Sequence, residues 1–287
     1  MYSNKDSGMK RYLYILIFAM MPIMLLAQAA GGTIKRPKTS KKKVLHNYSA
    51  KESPIENEQT SFVQRLMDNM IFVEGGTFMM GKTQDQNVIF SKEDRTPVHQ
   101  VTLNSFYISK YEVTQEEWEL IMGNNPSLHK GKRRPVEMVS WEDCQIFLDK
   151  LNKLSGRRFR LPSEEEWEYA ARGGQYGKGF KYAGSNNCNE VGWNNNNSDM
   201  TSSDVGMKLP NELGLYDMSG NVLEWCQNWY GNYSVDPQSN QNGNEKGEKK
   251  VCRGGCFIYG ESQCLVSCRN NGNPASTAHY IGLRLAL

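Results

Sequence analysis

The feature that most constrains the fold of this chain is the loss of any regular hydrophobic period beyond residue 174. Residues 186–197 are rich in asparagine, and residues 231–250 are polar and glycine-rich, so both stretches are typical of long loops. The chain still has 38% hydrophobic residues and 26 glycines among its 287 residues. That is enough apolar material for a full globular core with many turns. We therefore predict an α+β fold that is irregular and loop-rich, held by loop packing as much as by sheet pairing.

Regular elements are predicted mainly before this point and at the end of the chain. Thr114 and the acidic residue three positions later form a capping box that opens a helix, and further helices are expected from Ser140 and Ser163. Glycines at 156 and 173 end the last two. Strands are expected at 70–73, 77–81, 97–103, 106–108, 251–253 and 281–286.

Residues 1–29 have the order of a secretory signal peptide. Lys10 and Arg11 precede an apolar run from Tyr12 to Ala27, and small residues follow up to Ala29. The alternative is an uncleaved membrane anchor, but the run is shorter than the roughly 20 residues that a spanning helix needs. We therefore expect cleavage near Ala29 and no stable membrane span in the mature chain.

The remainder divides into a linker and a domain. Residues 30–69 are basic and polar, with too little apolar material to bury, so we predict a flexible linker followed by one globular domain over 70–287. The first cysteine is Cys144, far from the signal, which excludes lipid attachment through an N-terminal cysteine. We expect a periplasmic or secreted protein.

The net charge of +3 hides a difference between the two parts. The first 69 residues hold 11 Lys and Arg against 5 Asp and Glu, which leaves 23 against 26 for the rest. The globular part is therefore mildly acidic, and we expect no nucleic-acid partner.

Seven cysteines allow either disulfides or a redox or copper site. Export makes disulfides permissible, and an odd number leaves at least one thiol without a partner inside the chain. The cysteines are Cys144, Cys188, Cys226, Cys252, Cys256, Cys264 and Cys268. The sequence does not assign pairs, and structural bridging, plain burial and metal or redox chemistry all stay open.

From residue 72 onward the order of motifs resembles the formylglycine-generating, or sulfatase-modifying factor, family. The motifs span residues 73–81, 111–114, 135–141, 160–174, 210–222, 253–264 and 281–285. The resemblance covers about three quarters of the chain and implies the family's fold, a compact variant of the C-type lectin architecture. Arg160, Glu166, Trp167 and Arg172 are interpreted as a polar scaffold that satisfies buried groups of a loop-rich fold.

The segment from Asp217 to Glu224 predicts a structural calcium site. Its two carboxylates flank a Gly-Asn bend, which can direct several oxygens to one point, the donor type that Ca²⁺ prefers. The resemblance implies side-chain ligands at Asp217 and Glu224 and carbonyl ligands at Gly220 and Val222. The alternative is a turn whose acids face water or pair with arginine.

The catalytic motif of the family is incomplete. Its enzymes are marked by two cysteines separated by four residues, which bind copper and activate oxygen. Cys264 fits the second position, but Tyr259 occupies the first, and a phenol is a hard, high-pKa group that does not replace a thiolate. Cys256 lies where the family usually has serine, and Leu223 replaces a tryptophan. An active enzyme would have to hold copper through Cys264 with Cys256 or Cys268.

Other chemistries have little support in the sequence. His99, His129 and His279 have no spacing that places two of them on one helix face, so a three-histidine iron site is not indicated. His279 is interpreted as a loop histidine with a structural hydrogen bond.

Two functions from different classes follow. The first is an exported family member without conventional formylglycine oxidase activity, which binds a protein or glycan in the cell envelope. The second is a copper-dependent oxidase that converts a cysteine of a sulfatase to formylglycine. The binding surface would be framed by Trp193, Trp225, Trp229, Tyr230 and Tyr259, with Trp225 interpreted as a core residue. An exposed Cys264 near a second thiol favours the enzyme, and a buried or disulfide-bonded Cys264 favours the binding module.

Overall fold

A computed structural model describes residues 54–86, 93–239 and 246–287. The helices are α1 (Pro54–Asp68), α2 (Gln115–Met122), α3 (Trp141–Ser155), α4 (Glu164–Ala171) and α5 (Cys188–Val191). The strands are β1 (Met70–Val73), β2 (Gly76–Met80), β3 (His99–Leu103), β4 (Phe106–Ser109), β5 (Leu223–Trp229), β6 (Gln238–Ser239), β7 (Lys250–Arg253), β8 (Arg269–Gly272) and β9 (Ile281–Gly282). The expected signal peptide and the linker up to residue 53 lie outside the described residues.

Local capping fixes the helix starts as the sequence predicts. The Thr114 hydroxyl accepts the backbone N–H of Glu117, and the Glu117 carboxylate accepts the N–H of Thr114 at 2.8 Å. The same reciprocal pair forms at Ser140 in α3 and at Ser163 in α4. Such caps each stabilise a helix by about 1 kcal/mol, because they satisfy N–H groups that have no partner inside the helix.

The strands form three small sheets in place of one large one. In the described residues β1 pairs with β4, β2 pairs with β3 and β6, and β5 and β7 form the centre of the order β8-β7-β5-β9. The predicted strand over 281–286 is only partly regular: β9 is two residues long, and Ala286 continues as isolated bridges to Ile108 and Arg160. The prediction of an α+β, loop-rich fold is confirmed.

β5 was not predicted, and its burial explains why. The first four residues of this strand, from Leu223 to Cys226, are all buried, so the strand lacks the alternation that marks a half-exposed strand. β5 also contains Glu224, a charged residue that sequence reasoning assigned to a turn.

The core consists of aromatic side chains from the helices packed against the sheets. Trp118 of α2 stacks on Phe147 of α3 with ring centroids 4.9 Å apart. Trp225 of β5 joins the same cluster, and Trp167 of α4 belongs to a second cluster that covers β2, β3 and β4. Each cluster joins segments that are distant in sequence.

The expected boundary between linker and domain at residue 69 is wrong. α1 covers the last part of the predicted linker, and its Phe62 and Leu66 are buried in the cluster that contains Trp118. The two apolar residues are four positions apart and share one helix face, a pattern too short to stand out within the polar stretch. Within the described residues no helix is long and apolar enough to cross a membrane.

Candidate functional site

A tight reversal of the chain after β7 forms the motif that carries Tyr259 and Cys264. Gly255 has a φ of 74°, and a Cβ there would lie 2.8 Å from the Cys264 sulfur and 2.6 Å from the Gln263 carbonyl oxygen. Only glycine tolerates both the left-handed backbone and this close approach. The reversal therefore fixes the position of Cys264 relative to the end of β7.

Tyr259 is half-buried against another tyrosine. Its ring lies 5.8 Å from that of Tyr280, measured between centroids. Burial is the main cause that raises the pKa of Tyr259, and a hydrogen bond with Tyr280 acts in the same direction. The phenol stays protonated at physiological pH and is not a metal ligand in this state.

Cys264 is buried, and one of its thiol neighbours is a cysteine that the sequence did not suggest. It lies in a small cluster with Tyr182, Cys188 and Cys268. The hydrogen bond between the Cys264 and Cys188 thiols is the main cause that raises the Cys264 pKa, followed by burial. The expected neighbour Cys268 is in the cluster, but Cys188, 76 positions earlier in the chain, was missed because its contact depends on the fold alone.

Cys256 has a different environment from Cys264. It is buried in the large core cluster that contains Trp225, and burial raises its pKa to about 12. A protonated core thiol of this kind has neither the charge nor the access that a metal ligand or nucleophile needs. The expected catalytic contribution of Cys256 is therefore not supported.

The expected calcium ligands are placed differently from the prediction. Both Glu224 oxygens accept hydrogen bonds from Arg284, the shortest at 2.7 Å, and one also accepts the indole N–H of Trp167 at 2.6 Å. One Asp217 oxygen accepts the N–H of Gly206 at 2.7 Å, and the other is buried without a hydrogen-bond partner.

The pairing with Arg284 favours the alternative to a calcium ligand for Glu224, and calcium binding by Asp217, Gly220, Val222 and Glu224 stays a prediction. The Glu224 carboxylate is fully used by Arg284 and Trp167, so it has no lone pair directed at a shared centre. No group of three or more His, Cys, Asp or Glu side chains in the described part of the chain is arranged to hold a metal ion. The alternative, an acid that pairs with arginine, describes Glu224.

The interpretation of a polar scaffold is supported by the ion pairs of α4. Glu166 pairs with Arg160 at 2.6 Å, and Glu168 pairs with Arg172 at 2.8 Å and with the buried Arg253. Trp167 lies between Glu166 and Glu168 in the sequence, and its indole N–H donates to the Glu224 carboxylate. These residues join α4 to β2, β5 and β7 and have a structural role.

The structure brings together two histidines that are 150 positions apart in sequence. The rings of His129 and His279 lie 6.0 Å apart between centroids, and both contact Phe257. Burial is the main cause that lowers the pKa of His129, and the charge of His279 and of Arg134 act in the same direction. His99 packs against Tyr233 elsewhere, so the three histidines form no common site.

Of the five aromatic residues of the expected surface, Trp225 is buried and the other four are partly exposed. Trp225 is buried and its indole donates to the Val139 carbonyl at 3.0 Å, in agreement with its interpretation as a core residue. Trp229 lies under the Lys250 ammonium, and the Tyr230 hydroxyl donates to Asp94 at 2.5 Å. Trp193 and Tyr259 are partly exposed and lie on neighbouring segments of the chain.

Exposed apolar side chains are carried by the loops near these two residues, and we call this set the loop face. The Tyr259 carbonyl accepts the N–H of Asn195 at 3.0 Å, and the Ser198 hydroxyl donates to the Phe257 carbonyl at 2.8 Å, so the loop 193–210 is attached to the segment that carries Tyr259. Lys208 lies 4.1 Å above the Trp193 ring. The loop face consists of Leu128, Trp193, Met200, Met207, Leu209 and Tyr259, of which the leucines and methionines are between 55% and 65% exposed.

Comparison with known proteins agrees with the motifs. The model of the "sulfatase-modifying factor enzyme 1-like domain" family matches residues 56–287. Chaperone protein LppX of Paenibacillus barcinonensis is 36% identical over 222 residues, which is 60% of this chain and 75% of that protein. Serine/threonine-protein kinase pkn1 of Chlamydia pneumoniae is 31% identical over 254 residues, or 78% of this chain, but the match spans only 38% of the kinase.

The fold of this chain also resembles that of a solved structure. Treponema denticola variable protein 1 superposes with a TM-score of 0.68 at 28% identity, covering 76% of this chain and 94% of that protein.

Proposed function

Because this chain belongs to the sulfatase-modifying factor enzyme 1-like domain family, we propose that it is an exported, non-oxidase member that binds a protein partner through its loop face. The observation that carries this proposal is Tyr259, a protonated and half-buried phenol at the position where the oxidases of the family have a thiolate. The apolar run of residues 1–29 supports export to the periplasm or the cell exterior.

The thiols of the motif do not offer an alternative copper site that a substrate can reach. Cys188 and Cys264 are both 0% exposed, so the pair is closed to solvent, and the raised pKa of Cys264 keeps that thiol protonated. An oxidase has to bind copper through thiolates and leave a position for the substrate cysteine. The loop face would then recognise a partner without oxidising it.

The composition of the loop face favours a protein partner over a glycan. Leu128, Met200, Met207 and Leu209 are large, apolar and mostly exposed, and methionine adapts to varied apolar surfaces. Glycan recognition usually relies on polar groups beside aromatic rings, whereas this surface has only Trp193 and Tyr259 as aromatic members. The relative LppX, whose match covers 60% of this chain, is named a chaperone. That name supports a domain that contacts proteins.

We predict that the purified chain does not convert a Cys-X-Pro-X-Arg peptide to the aldehyde in the presence of copper and oxygen. The reason is that Tyr259 leaves Cys264 as the single sulfur of the family's pair. Mass spectrometry of the peptide would detect the aldehyde through the loss of the thiol. Aldehyde formation that disappears in Cys264→Ser would show that the oxidase alternative is correct.

Binding is tested directly with a phage-displayed library of random peptides and a glycan array. We expect selection of peptides with apolar side chains, and Met207→Asp or Leu209→Asp should weaken the selected peptide by at least about tenfold in Kd, because each places a charge in the contact. Val235→Asp is the matched control, since Val235 is 75% exposed and lies outside the loop face. Glycan binding without peptide binding, or equal affinities for all three variants, would contradict the proposal.

A further inference from the structure

We propose that Cys188 and Cys264 form a disulfide bond that fastens α5 to the Cys264 motif when the chain folds in an oxidising compartment. Cys188 begins α5, and Cys264 follows the short helical turn Glu261–Gln263. The bond would join positions with 75 residues between them. The inference concerns this pair alone and holds or fails independently of what the loop face binds.

The two segments lie side by side, which is the first requirement for the bond. The Asn189 side-chain amide donates to the Glu261 carboxylate at 3.4 Å, one residue after Cys188 and three before Cys264. The two thiols contact each other within the cluster formed with Tyr182, Val191 and Leu265. The bond would form inside this cluster, where both side chains are buried.

The remaining cysteines have other environments. Cys144, Cys252 and Cys256 are buried in the large core cluster, and Cys226 belongs to the cluster around Trp167. Cys268 shares the small cluster, but its thiol donates to the Gln263 side-chain oxygen at 3.5 Å. Since the Cys268 thiol bonds to Gln263, Cys188 is the thiol of the small cluster that we assign to Cys264.

A disulfide suits this environment better than a bound metal. Metal binding would place two thiolate charges in an apolar cluster with both cysteines 0% exposed, whereas a disulfide is neutral and apolar. The polar atoms nearby add no third ligand: the Asn194 amide donates to the Cys188 sulfur at 3.5 Å, and the Cys264 thiol donates to the Gly260 carbonyl at 3.9 Å. The described residues contain no metal-binding group of three or more His, Cys, Asp or Glu side chains.

The oxidant is a small disulfide such as oxidised glutathione or the disulfide of an exported thiol oxidase. One cysteine thiolate attacks it, forms a mixed disulfide and releases one thiol. The second cysteine then attacks the mixed disulfide and releases the second thiol. Two cysteine thiols are oxidised by two electrons, the small disulfide is reduced to two thiols, and the two protons pass to them. Since both cysteines are buried after folding, the reaction takes place while the chain folds.

The test is to refold the full chain from denaturant in a glutathione redox buffer, alkylate it and map the linked peptides. Trypsin releases residues 182–208, which contain Cys188 as their single cysteine, and residues 254–269, which contain Cys256, Cys264 and Cys268. Cleavage after Glu261 separates Cys256 from the other two. We expect residues 182–208 linked to the Cys264 peptide, with the same link in Cys268→Ser and none in Cys264→Ser.

The matched control is Cys226→Ser, which removes a buried thiol of another cluster and should keep the link. Reduction of the wild type should lower Tm on the order of 10 °C, because the bond closes a long loop. The same reduction should leave the Tm of Cys188→Ser unchanged. A link from Cys264 to any other cysteine, or an alkylated Cys264 in the refolded chain, would overturn the assignment.

Discussion

A single buried acid on α4 shows how burial sets the charge of a side chain in this fold. Glu165 is 3% exposed, and both its oxygens accept hydrogen bonds from the Asn228 amide, at 3.1 and 3.0 Å. Burial is the main cause that raises its pKa to about 7, and the charge of Glu164 beside it acts in the same direction. The folded chain therefore keeps a proton on Glu165 at pH values where the unfolded chain has lost it.

We predict that Glu165→Gln stabilises the protein at pH 8 and leaves it unchanged at pH 4. A raised carboxyl pKa means that folding becomes less favourable as pH rises from about 4.5 to about 7, and glutamine, which resembles the protonated acid, avoids that loss. The gain at pH 8 should be on the order of 3 kcal/mol in the free energy of unfolding, measured with urea. Glu119→Gln, at an exposed position, is the control and should show no such pH dependence. A gain of equal size at both pH values would show that the pKa of Glu165 is the same in the folded and the unfolded chain.

At the scale of elements, the sequence predicted those with a local signal and missed those without one. The capping boxes at Thr114, Ser140 and Ser163 depend on residues three positions apart, so the sequence alone locates α2, α3 and α4. α1 and β5 have no comparable signal. The first is mostly polar, the second is buried on both faces, and both owe their stability to tertiary contacts that form across the chain.

We predict that α1 contributes to the stability of the domain through Phe62. Phe62 is 1% exposed in the cluster with Trp118, and Phe62→Ala should lower the free energy of unfolding by about 3 kcal/mol, because the removed ring leaves a cavity. Gln64→Ala, on the exposed side of the same helix, should change it by less than about 0.5 kcal/mol. Urea unfolding of the two variants measures both changes in the free energy of unfolding. Equal effects would mean that α1 is not packed on the domain in solution.

At the scale of the whole molecule, the sequence predicted the family and fold but not the site geometry. Long motifs such as residues 160–174 are readable because their residues are consecutive. The contacts of Cys188 with Cys264 and of His129 with His279 join positions 76 and 150 apart, and no local pattern encodes them. The ion pair of Glu224 was not readable for the same reason, because Arg284 lies 60 positions further along the chain.

The pairing of Glu224 with Arg284 has a consequence for how the chain folds. The ribosome adds Glu224 well before its cation, and an ionised carboxylate has no stable place in a water-free core until that cation arrives. Assembly of the β5 region must therefore wait for contacts of high sequence separation, which is the topology of a slow folder.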